Sequence, residues 1–176
     1  MTMRSLSVII IVLVMSACSC NRKSHDDNNP RKPGLNELAE LNRYMVAKDR
    51  ERIENYAERR GLTMTVTQSG LWYMIRSEGT GRNFTDNDRL IMEYECTTLD
   101  GTECYSSKDM GPKEVIVGRS GIEPGLDQGL RLLKPGAEAL FIIPPFLGWG
   151  IPGDGKKIPP RAVLVYDIKV TGASQK

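Results

Sequence analysis

Histidine is almost missing from this chain: His25 is the only one among 176 residues. A histidine-based nucleophilic triad or zinc site is therefore excluded from the rest of the sequence. His25 itself stands beside Asp26 and Asp27 in a polar stretch and reads as solvated, because a metal site needs several fixed ligands. An excess of one charge is missing too. The 24 basic and 22 acidic residues leave a net charge of +2, and no Lys/Arg stripe stands out beyond short clusters such as Lys156-Lys157. That argues against nucleic acid as a partner. Gly79-Thr80-Gly81 lacks the third glycine and following helix of a dinucleotide site, and the segment from Gly118 to Gly125 lacks the Gly-Lys-Ser/Thr ending of a phosphate loop. Asp86-Asn87-Asp88 lacks the ligand spacing of a calcium loop and reads as a turn.

The first twenty residues read as an address rather than as part of the fold. Arg4 supplies a short basic segment, Leu6 to Val14 an apolar one too short for the ~20-residue helix that spans a bilayer, and Met15-Ser16-Ala17-Cys18 a small-residue cleavage site. That tetrapeptide resembles the lipobox of bacterial lipoproteins, which implies a signal peptide over residues 1–17 and lipid modification of Cys18. The alternative is an ordinary secretory signal ending near a cysteine. Either way the chain is expected to be exported into an oxidising compartment; on the lipobox reading it is anchored there through Cys18 at a periplasmic or outer-membrane face. Residues 18–34 are polar, carry Pro30 and Pro33, and offer nothing to bury, so they read as a flexible tether.

From residue 35 the pattern becomes helical. Asn36 suits an N-cap, Gly61 a C-terminal stop, and Arg59 and Arg60 the negative end of the helix dipole. Leu38, Leu41, Met45, Ile53, Tyr56 and Ala57 form an apolar stripe on a helix over 35–61. The stripe either packs on its own domain or makes a homodimer contact or stalk. Beyond Leu62 the period alternates. Thr63–Thr67 and Leu71–Arg76 read as a hairpin, followed by strands over Arg89–Thr98, Glu103–Tyr105, Glu114–Val117, Ala139–Ile143 and Ala162–Val170. Pro124 opens a short helix running to about Leu133, stopped by Lys134-Pro135-Gly136. The expected class is α+β: an antiparallel sheet wrapped on one short helix, preceded by a longer N-terminal helix.

The sixteen residues from Pro145 to Pro160 are the unusual part. They are too rich in glycine and proline for a regular element, yet they carry Phe146, Leu147, Trp149, Ile151 and Ile158. An apolar connection of that length is either a binding loop or a loop covering its own core.

Tyr94, Leu99-Asp100-Gly101, Ser106-Ser107, Gly118, Pro124-Gly125-Leu126, Gly129-Leu130, Lys134-Pro135-Gly136, Ile143-Pro144-Pro145, Trp149-Gly150, Ile158-Pro159-Pro160 and Leu164-Val165-Tyr166 occur in this order. The run from Asp88 to Val170 resembles the FKBP-type peptidyl-prolyl cis-trans isomerases. The preceding helix with Ser69-Gly70-Leu71-Trp72-Tyr73 is similar to the N-terminal part of exported bacterial FKBP lipoproteins, including gliding-motility-associated ones. The resemblance implies an FKBP-like domain over 62–176 and isomerisation of X-Pro bonds in exported polypeptides, with no cofactor and no metal. Rotation about such a bond crosses roughly 18–20 kcal/mol because resonance is lost on twisting. A dry, shaped pocket with a few hydrogen-bond donors can favour the twisted amide without any nucleophile.

Carried over position by position, the resemblance implies a pocket of Tyr94, Ile122, Ile158 and Tyr166. Trp149 stands where the family has a hydrogen-bonding tyrosine, and its indole N–H is expected to donate to substrate. Glu123 stands where an isoleucine donates its backbone N–H, which survives the side-chain change. Leu126 replaces the tryptophan of the pocket floor. Cys104 and Tyr105 replace a phenylalanine and an aspartate, and Lys113 replaces an aromatic wall. Loss of the carboxylate at Tyr105 bears on catalytic rate more than on binding of proline. Counting outward from Asp100, Cys96 and Cys104 fall opposite each other, as either a cross-strand disulfide or two buried thiols. Two rival functions remain open at this point: a non-catalytic chaperone or assembly module that grips proline-containing segments, and a structural lipoprotein acting through its helix.

Overall fold

The computed structural model describes residues 32–119 and 121–174. The proposed signal peptide, Cys18 and His25 lie outside the described residues, as does all of the tether except its last three residues.

Helix α1 (Leu35–Arg59) is followed by β1 (Thr65–Val66) and β2 (Trp72–Ser77), and Gly61 turns the chain at φ 62°. Then come β3 (Arg89–Thr98), β4 (Glu103–Ser106), the one-turn helix α2 (Ser107–Met110) and β5 (Lys113–Ile116). Helix α3 (Pro124–Leu130), β6 (Glu138–Ile143), a 3-10 turn (Pro145–Leu147) and β7 (Leu164–Ser174) complete the chain. The strands form one antiparallel sheet in the order β1-β2-β6-β7-β3-β4, and β5 pairs with the first half of β3 while β4 pairs with the second. Mixed helix and antiparallel sheet is the class that the alternation of the sequence implies.

Burial on both faces of β6 explains why its sequence is a continuous apolar run rather than an alternation. Phe141 and Ile143 face the main core with Leu126, Leu130 and Leu133 from α3 and the turn after it. Leu140 and Ile142 face the opposite way, against Ile53 and Tyr56 of α1 together with Trp72, Val163 and Val165. Helix α3 can approach the sheet because Gly129 has no side chain: a Cβ there would lie 2.7 Å from the Phe141 ring.

The apolar stripe of α1 therefore divides. Its second half packs on its own sheet, with Ile53, Tyr56 and Ala57 buried, whereas Leu38 and Leu41 of the first half are exposed, as is the neighbouring Tyr44. Asp49 is buried and receives Arg161, from the β6–β7 connection, at 2.7 Å. Arg161 itself adopts φ 55°, the left-handed region, while its backbone N–H donates to Gly150. The helix is thus tied to the C-terminal end of that long connection.

The register of β3 and β4 differs from the count made outward from Asp100. Cys96 pairs with Tyr105, and a bulge between Cys96 and Thr97 brings Thr97 opposite Glu103. Cys104 is thereby displaced from a position directly opposite Cys96. Both cysteines are free and fully buried in the main core, so the buried-thiol alternative describes this structure and the cross-strand disulfide does not. Burial disfavours the thiolate and pushes Cys96 up to about 12; it raises Cys104 as well.

Candidate functional site

A cavity of about 290 Å³ opens between β3, β5, the segment entering α3, the β6–β7 connection and β7. Seven residues that the sequence proposed converge on it: Tyr94, Tyr105, Ile122, Glu123, Trp149, Ile158 and Tyr166. Two do not reach its lining. Cys104 and Leu126 lie at 0% exposure within the core, beneath the cavity rather than on its wall. Cysteine and leucine are shorter than the phenylalanine and tryptophan that the resemblance implies at these positions, and neither reaches the cavity surface.

Each lining residue is placed by its element. The alternation of β3 turns Tyr94 toward the cavity, and the Tyr94 N–H donates to Ser107 Oγ at 3.0 Å, tying the strand to α2. Tyr166 of β7 lies across the sheet with its ring centroid 6.3 Å from that of Tyr94. Gly118, ahead of the segment that enters α3, is held by Asp127 of that helix, whose carboxylate accepts the Gly118 N–H at 2.7 Å and Arg131 Nε at 2.9 Å. Ile158 is brought inward, at 3% exposure, by a hairpin-like closure in which the Asp154 N–H donates to the Ile158 carbonyl. Gly153 permits that closure with φ +70°.

The polar groups of the cavity are arranged differently from the sequence expectation. Glu123 precedes Pro124 at the start of α3, yet its side chain does not cap the helix. Its Oε1 accepts the Trp149 indole N–H at 2.7 Å and the Tyr166 hydroxyl at 2.6 Å. The Trp149 N–H is therefore committed to Glu123 and is not the substrate donor that the sequence suggested. An isoleucine in place of Glu123 would leave it free; the carboxylate puts a strong acceptor within reach. The Tyr166 hydroxyl is kept protonated by burial and by the neighbouring Cys96 and Glu123, which push its pKa far above the ordinary tyrosine range.

Asp154 is the residue that sequence reasoning missed. Its carboxylate accepts the Tyr105 hydroxyl, and the backbone N–H groups of Lys156 and Ile158 at 2.8 Å each. Burial acts against the ionised form, but these hydrogen bonds outweigh it and hold the carboxyl below the usual aspartate range. Tyr105 is raised in turn, first by that bond. A carboxylate is thus present at the cavity although position 105 no longer supplies one. The sequence signal was available: Asp154 lies between Gly153 and Gly155, a pattern in which an aspartate side chain commonly bonds the backbone two residues on. Met110, Gly121 and Lys156 complete the lining together with Lys113, whose Nζ lies 6.0 Å from the centre of the Tyr94 ring. Among the described residues no group of three or more His, Cys, Asp or Glu side chains is placed to hold a metal.

A β-sheet curved over one short helix, with a small aromatic cavity closed by the β6–β7 connection, matches a known family. The sequence model of the FKBP-type peptidyl-prolyl cis-trans isomerases matches residues 80–171. The chain belongs to that family. It is 43% identical over 104 residues to the probable FKBP-type isomerase FkpA of Neisseria meningitidis, covering 59% of this chain and 38% of that protein. It is 32% identical over 127 residues to FkpA of Escherichia coli K12, covering 70% of this chain and 44% of that protein. The crystal structure of FkpA from Escherichia coli superposes with a TM-score of 0.63 at 25% identity, over 82% of this chain and 75% of that one. The chain thus spans less than half the length of these curated relatives.

Proposed function

We propose that this chain accelerates the cis/trans isomerisation of X-Pro bonds in exported polypeptides. The observation that carries the reading is the convergence of Tyr94, Ile122, Trp149, Ile158 and Tyr166 on one cavity, from four separate parts of the chain. A proline ring is small and apolar, and a concave aromatic site removes water from it and from the preceding carbonyl. The planar amide is stabilised by resonance that water reinforces, so desolvation favours the twisted form, and each ~1.4 kcal/mol of preference is worth tenfold in rate. With the Trp149 N–H engaged by Glu123, the backbone N–H groups of the Ile122–Glu123 segment, which leads directly into α3, are the remaining donors that the family resemblance implies. No side chain is required to form a bond with substrate.

The test is the cis-to-trans relaxation of a short X-Pro peptide with and without the chain. A clear acceleration that titrates with protein supports the isomerase. A folded chain that binds proline-containing peptides without accelerating them would favour the chaperone reading instead.

Export and anchoring are part of the same proposal. The sequence Met15-Ser16-Ala17-Cys18 supports lipid attachment at Cys18 and a periplasmic or outer-membrane location. Labelling with a fatty-acid analogue in cells should be lost in Cys18→Ser. The exposed Leu38, Leu41 and Tyr44 on α1 support a homodimer through that helix, which sedimentation should show as a dimer that Leu38→Glu and Leu41→Glu dissociate.

A further inference from the structure

Glu123 is 5% exposed, and its carboxylate is turned away from the helix it precedes. It joins three elements at a single oxygen. Oε1 takes the Trp149 N–H from the β6–β7 connection and the Tyr166 hydroxyl from β7, while its own backbone enters α3. Tyr166 is well buried and needs little further support, at 3% exposure. Trp149 is different: it is 41% exposed, it sits in a stretch rich in glycine and proline, and an indole has only one polar hydrogen with which to be held. A half-exposed ring on such a loop has several staggered rotamers open to it unless a directional bond selects one. The charge-assisted bond to Glu123 is that selection.

We propose that the Glu123 carboxylate is a positioning residue: by fixing the Trp149 indole at the acceptor it shares with Tyr166 it sets the shape of the cavity that receives the proline ring. Its role is distinct from that of its backbone N–H, and it acts through Trp149 rather than on the substrate. The kinetic consequence rests on the isomerase reading above, whereas the geometric one does not.

Two readouts on the full chain separate these. The first is the indole N–H resonance of Trp149 in a ¹H–¹⁵N spectrum, assigned by its disappearance in Trp149→Phe. It should be shifted downfield and slow to exchange, stay so in Glu123→Gln, whose amide oxygen still accepts, and collapse toward a free indole in Glu123→Ala. The second is kcat/KM for an X-Pro peptide. Glu123→Ala should lower it by roughly 10- to 100-fold, the scale of one hydrogen bond to a charged group, and Glu123→Gln should stay within about threefold of the parent. In a Trp149→Phe background, which has no N–H to hold, the loss on Glu123→Ala should shrink markedly. Glu123→Ile, closer in volume, gives the same two readings if the alanine variant does not fold. An indole resonance indifferent to Glu123→Ala, or an activity loss of equal size with and without the Trp149 N–H, would overturn the proposal. If the parent chain accelerates nothing, the isomerase reading falls, and the resonance alone still decides whether Glu123 holds Trp149.

Discussion

The Asp154 carboxylate accepts three hydrogen bonds, one from Tyr105 and two from the backbone of its own turn, and thereby holds Ile158 at the cavity. Its acidity is strengthened in the folded state, so its contribution to stability is fully present above the unfolded value near pH 3.9 and is lost as pH falls through the lower folded value. Peptide isomerisation should therefore show no Asp154-linked loss from pH 6 to 8, a property checked by comparing pH profiles of the parent and Asp154→Asn; the variant should lose activity across that whole range, by about tenfold if one charge-assisted bond is lost. The buried thiols make a second prediction at this scale. With Cys96 raised to about 12 and Cys104 raised by burial, neither is a thiolate at pH 8. A chain starting at Asn28 should resist alkylation when native and take up two groups in denaturant without any reductant; resistance that persists in denaturant until reductant is added would reveal a disulfide instead. The sequence could show both cysteines but not the bulge that offsets them, because a one-residue shift leaves no mark in composition. It likewise placed Trp149 at the site while missing its partner, since nothing in the local pattern says where the Glu123 side chain turns.

The β6–β7 connection is the element on which the site depends, and glycine decides its path. A Cβ on Gly153 would lie 2.3 Å from the Ile158 carbonyl oxygen, and φ +70° disfavours any other residue there. Gly153→Ala should cost about 1–3 kcal/mol in a denaturant titration and reduce isomerase activity more than that loss of folded chain explains. The strands and both main helices were legible because their periodicity is strong: β3 spans Arg89–Thr98 as the alternation implies, and α3 starts at Pro124. The ends were less so. Strand β7 runs on to Ser174, pairing with Arg89, although its final residues are small and polar. Main-chain pairing with β3 holds them, and side-chain type carries no sign of that. The connection itself resolves into both of its readings, since Leu147 and Ile158 cover the core while Trp149 is presented at the site.

At the scale of the whole molecule, α1 and the cavity lie on different faces of the sheet. The outer face is covered by Ile53 and Tyr56, and no α1 residue lines the cavity. Ile53→Ala should therefore cost about 2–5 kcal/mol of stability while leaving the rate on a short peptide close to that of the parent under native conditions. Removing 35–60 should preserve the cavity but bare Trp72, Leu140 and Val165, so that activity persists in a less soluble chain. The exposed first half of α1 is then available for contacts that a short peptide does not probe. The central claim concerns the cavity, and one measurement addresses it most directly: the cis-to-trans relaxation rate of a short X-Pro peptide with the chain from Asn28 onward, beside its Tyr94→Ala, Trp149→Ala double variant. Catalysis in this cavity predicts a clear acceleration by the parent that disappears in a folded double variant. A well-folded parent that leaves the spontaneous rate unchanged would contradict it.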